Sequence, residues 1–314
     1  MSRIVLQSPA KLNLFLKVQN KRPDGYHNIV TVFERINLVD VMSFQSIPHQ
    51  TIRIVCDHPH VPIGPKNLVY KVARLLQNEL GVQKGVQVCI NKRIPVAAGL
   101  AGGSGNAATA LLGLNRIWKL NLSKSQLLSY AKRIGSDVAF FLHDTSWALG
   151  TERGDQIKKL NIKTKLWHIL VIPHIKMYSW KVYGGLKPQL IHTNSESKRL
   201  LSLKQNASQR RKSGYTNVLT KINDDVNILI RNLKKDNILD VSPLLVNDLE
   251  TEVIRLCPRL EKLKERLKTL NAKGVMVSGS GPCVFGLVTT EKEAELLNSI
   301  LSKRFSRVFA VRTF

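Results

Sequence analysis

The chain is poor in cysteine and in acidic residues, and it has no long apolar run. Its 314 residues hold four cysteines, Cys56, Cys89, Cys257 and Cys283, scattered without a CxxC pair. A disulfide framework is therefore not the basis of the fold, and reduced, buried thiols are expected. "DHPH" at 57–60 offers His58 and His60, but no partner at ligand spacing accompanies them, which argues against a metal centre there. No stretch approaches the roughly 20 apolar residues of a membrane span. The opening "MSRIVLQSPAKLN" lacks the apolar core of a signal peptide and the Arg/Ser-rich make-up of a transit segment, so the expected location is the cytoplasm. Asp and Glu number 22 against 48 Lys and Arg, a formal net charge of +26. Such an excess favours anionic partners.

What is present describes a globular protein. Hydrophobic residues make up 43% and charged residues 22%, and the length suits about two domains with a core large enough to need no staple. "RIVLQ" and "KLNLFLKVQ" alternate as strands do. "NLVYKVARLLQNELG" (67–81) carries a helical apolar stripe, Leu68, Val72, Leu75 and Leu76, closed by Gly81. "SKSQLLSYAKRIG" (123–135) is a further helix with Ser123 as candidate N-cap and Gly135 as its stop. The character changes near 155–165, and two α+β domains are expected, residues 1–160 and 161–314. In the second, "LWHILVIP" reads as a buried strand, and "PRLEKLKERLKTLNAKG" (258–274) as an amphipathic helix with Leu260, Leu263, Leu267 and Leu270 on one face. Residues 161–240 hold 15 Lys or Arg and five Asp or Glu. Their centre, "ESKRLLSLKQNASQRRKSGYTN", lacks sustained periodicity and reads as a solvated basic insertion near 190–235, with RNA association as the alternative.

The densest local signal is "IPVAAGLAGGSGNAATALLGL" (94–114). Glycine and alanine crowd its first half, and then helix-forming residues with Ala107, Ala110, Leu111 and Leu114 on one face take over. It lacks the Gly-Lys-Ser/Thr ending of a P-loop, and its spacing is not that of a dinucleotide fingerprint. A Gly-rich loop leading into a helix nonetheless presents free backbone N–H groups to an anion. Glycines would supply the backbone angles and let phosphate oxygens approach. A tight turn packed on a neighbouring element is the competing reading.

"PVAAGLAGGSGNAA" (95–108) resembles the phosphate loop of the GHMP kinases. Its longer Gly-Gly-Ser-x-Asn-Ala-Ala form is similar to the branch that phosphorylates a cytidyl-linked methylerythritol. Other segments agree in order: "SPAKLNLFL" (8–16), "KRPDGYHNIVTVF" (21–33), "IGSDVAFFL" (134–142), "NDLE" (247–250) and "VSGSGPCVFG" (277–286). The chain departs from the pattern at Ala101 and Gly105, which leave Ser104 as the loop's hydroxyl. It departs again at Ala139, where proline is usual.

The resemblance implies a ribosomal-S5-like N-terminal domain, a ferredoxin-like C-terminal domain and an active site in the cleft between them. It implies ATP against Pro95, Val96, Ala97, Ala98, Gly99, Leu100, Ala101, Gly102, Gly103, Ser104 and Gly105, with Mg²⁺ bridging the phosphates and Ser104 as its protein ligand. Asp137 and Lys11 match the family's catalytic pair. Asn13 would face the methylerythritol group. Tyr26 would stack on cytosine and His27 would bond its edge. Tyr183 in "MYSWKVY" would be the second aromatic, with Tyr178 and Trp180 open as other registers. The expected partners are ATP and the cytidyl substrate, with no membrane and no nucleic acid, in a monomer or homodimer. A GHMP kinase acting on another small alcohol, or a basic RNA-binding protein on an S5-like fold, are the alternative readings.

Overall fold

The computed structural model describes residues 3–186, 214–235 and 237–314. The two N-terminal strand segments join into one strand, β1 (Arg3–Lys21), which bulges at Pro9/Ala10. A turn returns the chain as β2 (His27–Ile47), antiparallel to β1 along nearly its whole length. Then follow β3 (Ile52–Cys56), α1 (Leu68–Leu80), β4 (Gly85–Asn91), α2 (Gly102–Ile117), α3 (Lys124–Ile134), α4 (Val138–Leu142), β5 (Trp147–Thr151) and β6 (Gln156–Lys159). These strands form a sheet of order β3-β4-β2-β1, with β5 on the early part of β2 and β6 on β5.

Capping chemistry sets the helix ends as read from the sequence. Ser123 and Gln126 close a capping box on α3, and Gly135 ends it. Gly81 ends α1 in the left-handed conformation. The helices bury one face of the sheet around Phe44, Val72, Leu76, Leu111 and Phe140.

The second half begins with β7 (Trp167–Val171) and α5 (Ser179–Gly184). Residues 187–213, most of the basic insertion expected near 190–235, lie outside the described residues. Its remainder is a correction: Gly214–Lys234 form a 21-residue helix, α6. Val226, Leu229 and Leu233 recur at helical spacing and are buried between the two sheets with Leu12, Leu14, Leu170 and Phe285. The local charge masked that stripe.

The chain continues through α7 (Ile238–Val241), β8 (Val246–Asn247), α8 (Glu250–Leu256), α9 (Arg259–Thr269), β9 (Lys273–Val277), β10 (Val284–Val288), α10 (Glu291–Ser302) and β11 (Val308–Arg312). Strands β7, β9, β10 and β11 make an antiparallel sheet of order β11-β7-β10-β9. Numbered within the sheet this is 4-1-3-2, the ferredoxin-like order. Its outer face is covered by α9 and α10 through Leu260, Leu263, Leu267, Leu297 and Leu301. β8 returns to the first sheet and pairs in parallel with Phe15 and Leu16 of β1. The "NDLE" segment is thereby fastened to the strand that carries Lys11 and Asn13.

Candidate active site

Two cavities meet at the junction of the two sheets. One, of about 400 Å³, is lined by every residue from Pro95 to Ser104, together with Lys92, Asn106 and the Val61–Leu68 region. The other, of about 600 Å³, is lined by Asn13, Tyr26, His27, Arg153, Trp180 and Tyr183. Lys11, Asp137, Ser179 and Ser280 line both.

The glycine loop is built largely by protein contacts. Ala97 (φ 56°), Gly99 (φ 82°) and Ala101 (φ 53°) all adopt left-handed backbone. For the two alanines this costs about 1–2 kcal/mol each. A side chain at Gly99 would run into the Ser278 carbonyl, one at Gly102 into Ile94, and one at Gly105 into the Pro9 carbonyl. Gly105 is accordingly buried on β1 and does not line the cavity. Gly103 is exposed and faces nothing closer than Leu68 at 3.9 Å. The tight-turn reading thus describes part of the loop. Three glycines admit neighbouring chain, and Gly103 leaves open space beside the first turn of α2. No side chain caps that helix, so its first N–H groups stay available to an anion.

A buried carboxylate that sequence reasoning missed holds the approach to the loop. Asp40 on β2 is fully buried. It accepts from Arg93 N at 2.8 Å, Ile94 N at 2.8 Å, Asn106 Nδ2 at 2.9 Å and the Lys92 ammonium. From the other side, the Ser278–Gly281 turn between β9 and β10 leans on the loop. Ser278 Oγ donates to Gly99 O at 3.1 Å, and Cys283 N donates to Ala98 O at 3.2 Å. Asn247 of "NDLE" donates to Val277 O and Gly279 O, both at 2.9 Å, and so holds that turn to β8.

Lys11 is buried, not displayed on an edge strand. Its Nζ donates to Asn13 Oδ1 at 2.5 Å, lies 3.5 Å from Asp137 Oδ2, and sits 5.4 Å from the Phe33 ring centre. Asn13 is itself fixed by donating to Thr31 Oγ1 at 2.8 Å, and its amide oxygen serves Lys11. Asp137 precedes α4 but makes no side-chain capping bond, which leaves the carboxylate free for other work. Ala139 occupies the first turn of α4, where proline is equally at home. Arg35 steadies the far end of that short helix, donating to His143 O at 2.5 Å and packing over the Phe140 ring.

In the larger cavity, His27 is buried and stacks on Tyr183, ring centres 5.5 Å apart. Burial, with a smaller push from Lys21, holds the imidazole below its ordinary value. Burial and the nearby Asp137 charge push the Tyr183 phenol up, so it stays protonated. Tyr26 is exposed, with the Arg153 guanidinium 5.2 Å from its ring centre. Of the three aromatics weighed for the second position, Tyr183 and Trp180 line the cavity and Tyr178 lines neither.

Comparison with known proteins places the chain in a family. Residues 67–145 match the GHMP kinases N terminal domain, and residues 229–307 match the GHMP kinases C terminal region. The 4-diphosphocytidyl-2-C-methyl-D-erythritol kinases of Bacillus pumilus and Bacillus velezensis are 35% and 36% identical to the chain. Each match covers 99% of this chain and 96% of the relative. A crystal structure of 4-(cytidine 5'-diphospho)-2C-methyl-D-erythritol kinase superposes with a TM-score of 0.75 at 26% identity, covering 98% of both chains. Homoserine kinase from Cytophaga hutchinsonii shares the fold alone, at 18% identity and a TM-score of 0.70. With both family regions present and relatives matched end to end, the chain is a two-domain kinase of the GHMP family.

Proposed function

We propose that this chain transfers the γ-phosphoryl group of ATP to the 2-hydroxyl of 4-diphosphocytidyl-2-C-methyl-D-erythritol, a step of the non-mevalonate route to isoprenoid precursors. The observation that carries the reading is the meeting of a phosphate-type cavity and an aromatic-lined cavity at Lys11 and Asp137. In-line transfer needs donor and acceptor brought end to end with charge neutralised between them. ATP occupies the cavity of the glycine loop, its phosphates against the first turn of α2. Mg²⁺ bound with it would neutralise phosphate charge. Mg²⁺ takes oxygen ligands and keeps much of its water. Ser104, which lines this cavity, would supply one hydroxyl to the metal.

Asp137 accepts the proton of the attacking hydroxyl or orients it, and Lys11 neutralises charge gathering on the transferred group. Asn13 keeps the Lys11 ammonium aimed at that point. Tyr26 offers an exposed face to the cytosine. Neutral at pH 7, His27 presents one donor and one acceptor nitrogen to the base edge, and Tyr183 backs its ring. The deciding assay is ADP release with the cytidyl substrate, ATP and Mg²⁺, with phosphorus NMR of the product. Absence of a new phosphomonoester would overturn the reading.

Tyr26→Ala tests the placement of the base. Aromatic–base stacking is worth about 1–3 kcal/mol, so KM for the cytidyl substrate should rise roughly 5- to 150-fold with KM for ATP unchanged. A rise confined to ATP would mean that the two nucleotides have been placed in the wrong cavities.

A further inference from the structure

Ser179 and Ser280 share with Lys11 and Asp137 the property of lining both cavities. Ser179 opens α5, and Ser280 stands in the turn between β9 and β10. Their hydroxyls meet at 2.7 Å across 101 residues of sequence. Ser179 is exposed and Ser280 half-buried, so the pair faces the cleft. The transfer point thus has a charged pair from the N-terminal half on one side and a hydroxyl pair from the C-terminal half on the other.

We propose that Ser179 and Ser280 are further catalytic residues, two hydroxyl donors for the oxygens of the phosphoryl group in flight. The proposal rests on the phosphoryl-transfer reading above. A hydroxyl has one proton and two lone pairs. One proton is spent between the two serines. An anionic oxygen arriving at the junction gives both O–H groups a stronger acceptor, because hydrogen bonds to ionised partners are roughly twice as strong as neutral ones. Rotation about Cβ–Oγ turns each proton away from its neighbour and toward the cleft that both residues line. Donors at that point act on charge that is shared between donor and acceptor during transfer, so their effect falls on turnover more than on ground-state binding.

The test is steady-state kinetics of Ser179→Ala, Ser280→Ala and the double variant, with Ser179→Thr and Ser280→Thr as hydroxyl-retaining controls. Each alanine variant should lose roughly 10- to 100-fold in kcat, with KM for ATP and for the acceptor held within about threefold. The double variant should lose less than the product of the single losses, since the two groups serve one oxygen cluster. The threonine variants should keep most of the activity. Alanine variants within twofold of wild type would overturn the proposal. So would losses confined to either KM, or threonine variants as impaired as alanine. Thermal melting and ATP affinity of every variant identify losses that come from misfolding, which would equally count against it. The wild-type control keeps the two readings apart. If the wild type phosphorylates a different alcohol, the substrate assignment falls, and the same variants test the hydroxyl pair on that alcohol.

Discussion

Replacing Asp137 with asparagine is expected to lower kcat by roughly 10²- to 10⁴-fold, the range of a positioned acid–base group, while the fold and ATP affinity survive. The substitution keeps size and shape. The Asp137 side chain is about a quarter exposed and caps no helix, so little of the packing depends on its charge. Lys11 would keep its bond to Asn13 and its place near the Phe33 ring, so the cation stays held without its carboxylate neighbour. What disappears is the acceptor proposed for the hydroxyl proton. A 10²-fold loss corresponds to about 2.7 kcal/mol of transition-state stabilisation. The measurement is kcat by ADP release beside ATP affinity by calorimetry. Turnover within a few-fold of wild type would remove Asp137 from the chemistry, and lost ATP affinity would make it part of the nucleotide site.

The parts of this molecule legible in the sequence are those whose chemistry is local. Ser123 with Gln126, and Gly81 after an apolar stripe, mark helix ends because a capping bond spans only a few residues. The order of the motifs pointed to the family, and the resemblance supplied Lys11 and Asp137 as its expected pair. Nothing in the spacing of two residues 126 positions apart tells that they lie 3.5 Å from each other; the β1–β2 pairing and the seating of α4 do that. Asp40 was missed for the same reason. Its donors come from the end of β4 and from α2, and a lone Asp inside "INLVDVMSF" announces only that a strand tolerates an unfavourable residue. That oddity was the available signal. A buried carboxylate in a strand needs partners, and the nearby Gly-rich loop was the place to look for them.

The α6 helix was missed for a different reason. The basic character of residues 161–240 as a whole hides the spacing of Val226, Leu229 and Leu233. Periodicity in a shorter window decides such cases, because burial follows the stripe and not the average. The glycines teach the converse lesson. Their clustering signalled close approach correctly, but sequence alone does not say what approaches. At Gly99, Gly102 and Gly105 it is the protein itself.

The second large effect follows from that contact. Gly281→Ala would place a Cβ 2.1 Å from the carbonyl carbon of Ala98 and 2.1 Å from the Gly99 nitrogen. Both are backbone atoms, so no side chain can rotate aside, and either the loop or the Ser278–Gly281 turn must move by more than an ångström. The loop is the softer partner, since Ala97 and Ala101 already hold strained backbone. Overpacking of this kind costs about 1–3 kcal/mol of stability, and an ångström of misplacement in a positioned site costs on the order of 10²-fold in rate. The variant should therefore fold with a lowered Tm, bind ATP poorly and lose activity by 10²-fold or more. Gly103→Ala is the matched control. Its added methyl meets no protein atom closer than 3.9 Å, so its Tm should match wild type, and any loss should appear only when nucleotide is bound. Thermal melting with and without ATP separates the two. If Gly281→Ala binds ATP as the wild type does, the turn does not hold the phosphate loop in place.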